Sequence, residues 1–218
     1  MNRQFRKVVQ AGALVWMLAL GQSVLADGAD AALTLQQQWE KARYQMEGDA
    51  QLQAYEQLMA QAEKDKAAYP DSADVFAWSG IIKATYAGAK GGLGALKYAK
   101  SSKSDLETAL GLNEAVMDGG AHNTLGTLYY KVPGWPVGFG DSDKAKEQLQ
   151  RSLALNPKGI DSNYFYGEFL RDQGDYQGAW QYYEKALAAP PRPARPLADS
   201  GRRGEVEDAM EAIRTELD

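Results

Sequence analysis

The sequence predicts an all-α protein made of stacked helical hairpins, with about four helix pairs and a C-terminal capping helix. Three observations support this prediction. Apolar residues recur at spacings of three and four along most of the 218 residues, as on the buried side of a helix. No useful length of chain alternates apolar and polar residues as a half-exposed strand does. Finally, the segments 125–155 and 166–187 repeat one pattern of two helices.

The N-terminus has the pattern of a secretory signal peptide. Arg3, Arg6 and Lys7 precede an apolar run, and small residues follow up to Ala26. We expect residues 1–26 to be removed and the protein to be periplasmic, with an uncleaved membrane anchor as the alternative. Removal would change the formal charge from −5 to −8, because the segment contains three basic residues and no acidic ones. Such an acidic chain is a poor candidate for binding nucleic acid or anionic lipid.

The first helices follow from local start and stop signals. Thr34-x-x-Gln37 has the form of a capping box, and Leu35 and Trp39 fall on one face of the helix that would follow. A second helix is predicted from about residue 50 until Pro70 ends it. A third is predicted over 73–87, before a glycine cluster at 88–94 that favours a loop. The chain is then expected to be helical to residue 112.

The segment 163–191 carries the clearest repeat. Gly167 lies in its first helix, Gly174-Asp175 forms the turn, and Ala179, Tyr183 and Ala186 follow at steps of four and three before Pro191. This pattern resembles the tetratricopeptide repeat, whose period is about 34 residues. The resemblance implies a solenoid over 33–189, and we expect a proline-rich linker over 190–200 and a capping helix over 201–218.

An insertion lengthens the preceding repeat. Gly126 and Gly167 are 41 residues apart, and the excess lies between Tyr130 and Lys144. This loop carries Trp135, Pro136 and Phe139, and a solvated loop gains little from such side chains. Their rings should pack over the helix ends or contact a ligand or another subunit, and the sequence favours neither alternative.

The first helix of each hairpin should form the concave wall of the solenoid, which is the usual place for a ligand in repeat proteins. The repeat pattern predicts a wall with an apolar end and a charged end. The predicted partner-binding residues are Ile81, Asn123, Thr127, Tyr130, Lys131, Tyr164, Glu168, Arg171 and Asp172. The same projection places Asp74, Ala77, Ala84 and Asp161 on this wall.

Both long inserts, 87–97 and 130–141, together with residues 163–167, resemble the T component of tripartite ATP-independent periplasmic (TRAP) transporters. That resemblance implies a periplasmic substrate-binding protein as partner, a small hydrophobic ligand and a ring-shaped homo-oligomer. Members of that family are typically anchored through a lipidated cysteine, and this chain has no cysteine.

Motifs for catalysis are weak in this chain. The glycine cluster at 88–94 lacks the Gly-Lys-Ser/Thr ending of a phosphate-binding loop. His122 occupies a packing position, and Asp141 and Asp143 stand where a helix start calls for a cap. We therefore expect no cofactor, no metal and no enzyme activity, with an enzyme of unknown class as a remote alternative. The leading expectation is a scaffold that holds a partner protein or peptide in its concave groove.

Overall fold

A computed structural model describes residues 28–217, so the predicted signal peptide and its cleavage point lie outside the described residues. Nine α-helices occur in this range: α1 (28–45), α2 (Gly48–Ala68), α3 (Ala73–Lys90), α4 (Leu96–Leu112), α5 (Gly120–Lys131), α6 (Ser142–Leu155), α7 (Ile160–Asp172), α8 (Tyr176–Leu187) and α9 (Pro196–Ile213). No strand is present between residues 28 and 217. None of the described helices is both long and apolar enough to cross a membrane.

The helices pack pairwise, which confirms the predicted solenoid. The second, third and fourth hairpins are α3/α4, α5/α6 and α7/α8, and α3, α5, α7 and α9 also pack in succession. The first helices therefore form an inner layer, and the second helices lie outside them. Four hairpins with α9 as the cap agree with the predicted number.

Three glycines set how closely the hairpins pack. At Gly80, an added Cβ would lie 2.6 Å from Cγ of Leu106 in the opposite helix. The corresponding distance is 2.7 Å at both Gly126, to Leu149 Cγ, and Gly167, where the nearest atom is a ring carbon of the tyrosine at 183. These positions leave no room for a side chain, which is the physical reason for the repeated glycine.

Two predicted boundaries were wrong. Helix α1 already includes residues 28–33, and Thr34 lies inside it with its hydroxyl donating to the Asp30 carbonyl (2.9 Å), so it does not cap the helix. Helix α9 begins at Pro196 rather than near residue 201, which shortens the linker. Proline is well suited to the first turn of a helix, because the N–H that it lacks would have no partner there.

The first and last helices meet and close the superhelix. Arg43 Nη2 on α1 contacts Glu205 Oε1 on α9 at 2.6 Å, and the Tyr44 ring fills the space beside Gly201. Arg195, just before α9, donates to Glu40 Oε1 on α1 at 2.7 Å. The inner helices therefore surround a central space instead of leaving an open groove.

Candidate functional site

A central cavity of about 690 Å³ lies inside the ring of inner helices. Each of α1, α3, α5, α7 and α9 contributes to its wall, and the loops after α3 and α5 border it. The apolar part of the wall includes the side chains of Trp39, Trp78, Ile81, Ala84, Tyr130 and Phe165. Trp39 is held in place because its indole Nε1 donates to Thr85 Oγ1 at 3.0 Å.

A second cavity of about 650 Å³ lies towards the N-terminal ends of the inner helices. The two cavities share one boundary layer, which includes Trp78, Asn123, Asp161 and Arg195. Met117 also belongs to this layer and has a left-handed backbone (φ 54°), which is uncommon for a non-glycine residue. The two cavities therefore adjoin each other at this set of shared residues.

Most of the predicted wall residues border the central cavity. They are Ile81, Ala84, Asn123, Thr127, Tyr130, Lys131, Asp161, Tyr164 and Glu168. The structure thus brings residues from three separate hairpins together around one space, with the apolar end at α3 and the charged end at α7. Their part in binding remains a prediction.

Four predicted wall residues do not border the central cavity. Arg171 folds back on Glu168 (Nη2 to Oε2, 2.7 Å), and Asp172 accepts a hydrogen bond from Lys131 at 2.7 Å. Both lie in the last turn of α7, so they support wall residues instead of lining the cavity. Ala77 is buried in the core, and Asp74 borders the second cavity.

In the inserted loop, Phe139 packs against the fold, whereas Trp135 is exposed and free to contact a ligand or another subunit. Phe139 packs edge-to-face on Tyr129, with ring centroids 5.8 Å apart. Trp135 is 90% exposed, Pro136 is exposed too, and Val137 is 54% exposed at the mouth of the cavity. Backbone hydrogen bonds fix the loop, including Gly140 N to Pro133 O at 2.9 Å. Self-packing therefore accounts for Phe139 but not for Trp135.

Sequence reasoning missed an arginine cluster that closes one side of the cavity. Asp161 accepts from Arg202 Nε on Oδ1 (2.8 Å) and from Arg192 Nη1 on Oδ2 (2.6 Å). Burial raises the pKa of Asp161, but Arg202 and Arg192 outweigh it and hold this pKa below its usual value. The guanidinium of Arg202 also stacks on Tyr164, 4.5 Å from the ring centroid.

The signal for this cluster was present in the sequence. Four arginines, Arg192, Arg195, Arg202 and Arg203, fall within twelve residues that also contain Asp199. In the structure Arg192 and Arg203 both donate to the Asp199 carboxylate. Arginine and aspartate mixed in one short segment next to a helix start indicate a network of ion pairs, and such a segment is more than an extended linker.

The phenols on the wall are neutral groups. Burial raises the pKa of both Tyr130 and Tyr164, and the nearby Glu168 carboxylate raises it further. Glu168 is itself occupied, since Tyr183 donates to its Oε1 (2.6 Å) and Arg171 to its Oε2. Tyr130 and Tyr164 therefore offer neutral hydroxyl groups and apolar ring surface to the cavity.

Asn123 is 3% exposed, and the Oδ1 atom of its carboxamide has no hydrogen-bond partner within residues 28–217. Leaving a buried acceptor unpaired costs about 1–3 kcal/mol, so such a group calls for an explanation.

His122 and Asp141, which the sequence offered as weak candidates for catalysis, both make contacts that stabilise the fold. His122 is buried, with Nδ1 2.7 Å from Gln148 Oε1 and Nε2 3.1 Å from the Glu114 carbonyl oxygen. Asp141 caps α6 by accepting from the backbone N–H groups of Asp143 and Lys144. In the described part of the chain, no group of three or more acidic or histidine side chains is arranged to hold a metal ion.

The fourth hairpin matches a known repeat family. Residues 160–193, which contain α7 and α8, match the model of the tetratricopeptide repeat. The match covers one hairpin, and the other hairpins stack on it in a solenoid fold of the same kind.

Two solved structures resemble this chain. The first is TTC0263, a thermophilic TPR protein of Thermus thermophilus, which is 18% identical with a TM-score of 0.53 over 85% of this chain and 97% of that chain. The second is PilF of Pseudomonas aeruginosa, which is 16% identical over 88% of this chain and 93% of that chain. Its TM-score of 0.34 adds nothing to the fold assignment.

A curated relative matches over a shorter stretch. Protein adenylyltransferase Fic of Aedes aegypti is 36% identical over 79 residues, which make up 36% of this chain. The match spans 16% of that relative's length, so most of that protein has no counterpart in the aligned segment.

Proposed function

We propose that this protein is a non-enzymatic, exported binding protein that holds a small, largely apolar molecule in the central cavity. The observation that carries the proposal is the closed ring of inner helices. Pockets for small molecules are typically 300–1,000 Å³, and the central cavity falls within that range. The contact between α1 and α9 blocks the side entry that an extended peptide or a partner helix would need.

The charges around the cavity support an apolar ligand. Arg43, Arg195 and Arg202 are each paired with a carboxylate within 2.8 Å. Because the charges of these guanidinium groups are neutralised by carboxylates of the protein, they would attract an anionic ligand only weakly. The aromatic and aliphatic side chains of the wall would instead gain from excluding water.

A second candidate function uses the outside of the scaffold. Tetratricopeptide repeats generally bind protein partners, and exposed Trp135 and Val137 form an apolar tip beside the cavity mouth. Tryptophan is enriched among residues that dominate binding energy at protein interfaces. A partner that docks on this tip could exchange a ligand with the cavity, which is the role that the resemblance to TRAP transporter T components implies. The partner would then be a periplasmic substrate-binding protein.

Titration with N-phenyl-1-naphthylamine, a neutral dye that fluoresces in apolar surroundings, tests the cavity. We expect saturable binding to residues 27–218, and we expect Ala84→Trp to abolish it by filling the cavity. Ala67→Trp is the matched control, since Ala67 is exposed on the outer helix α2. Equal binding to both variants, or no binding to the parent protein, would rule out the proposed function.

Export requires its own test. Cells that produce the full chain should release the protein on osmotic shock, with an N-terminus at Asp27 by mass spectrometry. Retention in the cytoplasm with an intact N-terminus would contradict export while leaving the cavity untouched.

A further inference from the structure

Two phenol hydroxyls on the wall of the central cavity are accessible and unused. Tyr130 on α5 and Tyr164 on α7 are both half-buried, and both line this cavity and not the second one. Neither hydroxyl makes a hydrogen bond to another group within residues 28–217, and neither is enclosed in the way that the unpaired hydroxyl of Tyr55 is. A molecule in the cavity can therefore reach both.

The threonine hydroxyls of the same wall are already occupied. Those of Thr85, Thr124 and Thr127 each donate to the backbone carbonyl one helical turn earlier, at 2.8–3.3 Å. A third tyrosine, Tyr44 on α1, also lines the cavity, with its ring beside Gly201 where α1 meets α9. The donors that remain for a ligand on this wall are therefore phenols.

The rings that carry the two hydroxyls are held in place. Tyr130 packs edge-to-face on Phe169, with ring centroids 5.6 Å apart. Tyr164 packs edge-to-face on Phe165 at 5.3 Å, and the guanidinium of Arg202 covers its ring at 4.5 Å. Because donors fixed in advance lose little conformational freedom when a ligand binds, this pair is suited to recognition.

The charge around the two hydroxyls decides which partner they can take. Burial, and after it the neighbouring Glu168 carboxylate, raises the pKa of both phenols, so they stay protonated and can donate. Both oxygens of Glu168 already accept, from Tyr183 and from Arg171. A ligand carboxylate would be placed next to the negative charge of Glu168. The matching group is therefore a neutral acceptor, and a carbonyl oxygen has two lone pairs for this purpose.

We propose that the central cavity recognises uncharged, mainly apolar molecules that carry a carbonyl group, and that the hydroxyls of Tyr130 and Tyr164 donate hydrogen bonds to it. The apolar body of the ligand would lie against the aromatic and aliphatic part of the wall, which includes Trp39 and Trp78. This inference rests on the proposed function, because it names the class of ligand for the same cavity.

A pair of probes with nearly the same shape tests this assignment. Calorimetric titrations would measure 2-acetylnaphthalene, which has a carbonyl oxygen, and 2-isopropylnaphthalene, which has none. The quantity compared between proteins is the ratio of the two affinities, because the hydrocarbon leaves water more readily than the ketone. One net hydrogen bond corresponds to about a twofold to tenfold change in affinity. We expect the ratio of ketone to hydrocarbon affinity to fall by at least that factor in the double variant Tyr130→Phe/Tyr164→Phe.

The matched control is Tyr176→Phe/Tyr182→Phe, which removes two hydroxyls from the outer helix α8 that line neither cavity. This control should leave the ratio unchanged. An equal fall in the control, or a fall seen with Tyr44→Phe and not with Tyr130→Phe/Tyr164→Phe, would overturn the assignment.

The outcomes separate the inference from the proposed function. If the ratio were unchanged in Tyr130→Phe/Tyr164→Phe while Ala84→Trp abolished the binding of both probes, the two hydroxyls would have no role and cavity binding would stand. Binding that is absent, or that Ala84→Trp does not affect, would overturn both.

Two further measurements exclude a purely structural role. Tyr130→Phe/Tyr164→Phe should unfold at about the same urea concentration as the parent, because neither hydroxyl has a partner among the described residues; a clear loss of stability would contradict the assignment. In infrared spectra, the carbonyl band of bound, ¹³C-labelled 2-acetylnaphthalene should lie at lower wavenumber than in cyclohexane and should move back in the double variant. A band at the cyclohexane position in the unmodified protein would overturn the inference even if the variant did not fold.

Discussion

Replacing Gly126 with alanine should destabilise the third hairpin, although alanine is the better helix former. An added Cβ at this position would lie 2.7 Å from Leu149 Cγ and 3.0 Å from its Cδ2. Favourable carbon–carbon contacts lie at about 3.5–4.0 Å, so the overlap is close to 1 Å. Leu149 is fully buried and cannot move aside into solvent.

The net effect follows from two opposed contributions. Overpacking in a well-packed core costs about 1–3 kcal/mol, while alanine gains up to about 1 kcal/mol over glycine within a helix. Because the overlap is close to 1 Å, the overpacking cost should lie in the upper part of its range, about 2–3 kcal/mol, so we expect Gly126→Ala to lower the free energy of unfolding by about 1–2 kcal/mol. For a chain of this size, that corresponds to a drop in melting temperature of about 2–8 °C.

Urea unfolding followed by far-ultraviolet circular dichroism provides the measurement. Gly204→Ala is the matched control, since Gly204 lies within α9 and an added Cβ there would meet nothing within 4 Å. This control should be unchanged or more stable by up to about 1 kcal/mol. A double variant with Leu149→Ala should show a smaller loss than the sum of the two single losses. If Gly126→Ala were as stable as the parent, close packing at the repeated glycines would not explain the pattern.

Four other substitutions, one of them a control, test the ion pairs and the loop. Asp105→Ala should lower the free energy of unfolding in urea by about 3–5 kcal/mol, because the buried ammonium of Lys83 would keep only the partly exposed carboxylate of Glu63 as its partner. Glu63→Ala is the control: it removes the exposed carboxylate and should cost less than about 1 kcal/mol. Asp161→Asn should make the free energy of unfolding fall less steeply as the pH drops below about 4, which urea unfolding at a series of pH values would show. Trp135→Ala should leave the melting temperature unchanged, since its ring is exposed, and a drop of several degrees would contradict the described loop.

The sign of the acid effect follows from the pKa of Asp161. This pKa lies below the ordinary value of 3.8, so the folded protein holds the carboxylate ionised more strongly than the unfolded chain does. The stabilisation from Asp161 is therefore complete above about pH 4 and is lost as the pH falls further towards the folded pKa. A parent protein and an Asp161→Asn variant that lose stability in parallel below pH 4 would contradict this account.

The hairpins could be predicted because their signals are local. Gly167 and Tyr183 come from the two helices of one pair, and each position can be recognised from residues a few places away. The projection of the first helices also brought Asn123, Tyr130 and Tyr164 to one wall. Such a projection requires only the helical period and the order of the pairs.

Closure of the ring could not be predicted in the same way. It depends on the sum of small rotations between four hairpins, and no single segment of the chain encodes that sum. The sequence places Arg195 in the predicted linker and gives no sign that Tyr44 contacts α9. Both residues nevertheless help to join the two ends of the solenoid. The inserted loop posed a related problem, because it has no period to show that Phe139 packs inward and Trp135 outward.

A crystal structure with 6-bromo-2-naphthol would test the central claim most directly. The anomalous signal of bromine marks the position of the probe independently of the protein atoms around it. We predict one bromine site within the central cavity, with the naphthalene rings of the probe against the apolar wall that includes Trp39 and Trp78. Bromine found only on the outer surface, or a solenoid that is open between α1 and α9, would contradict the account.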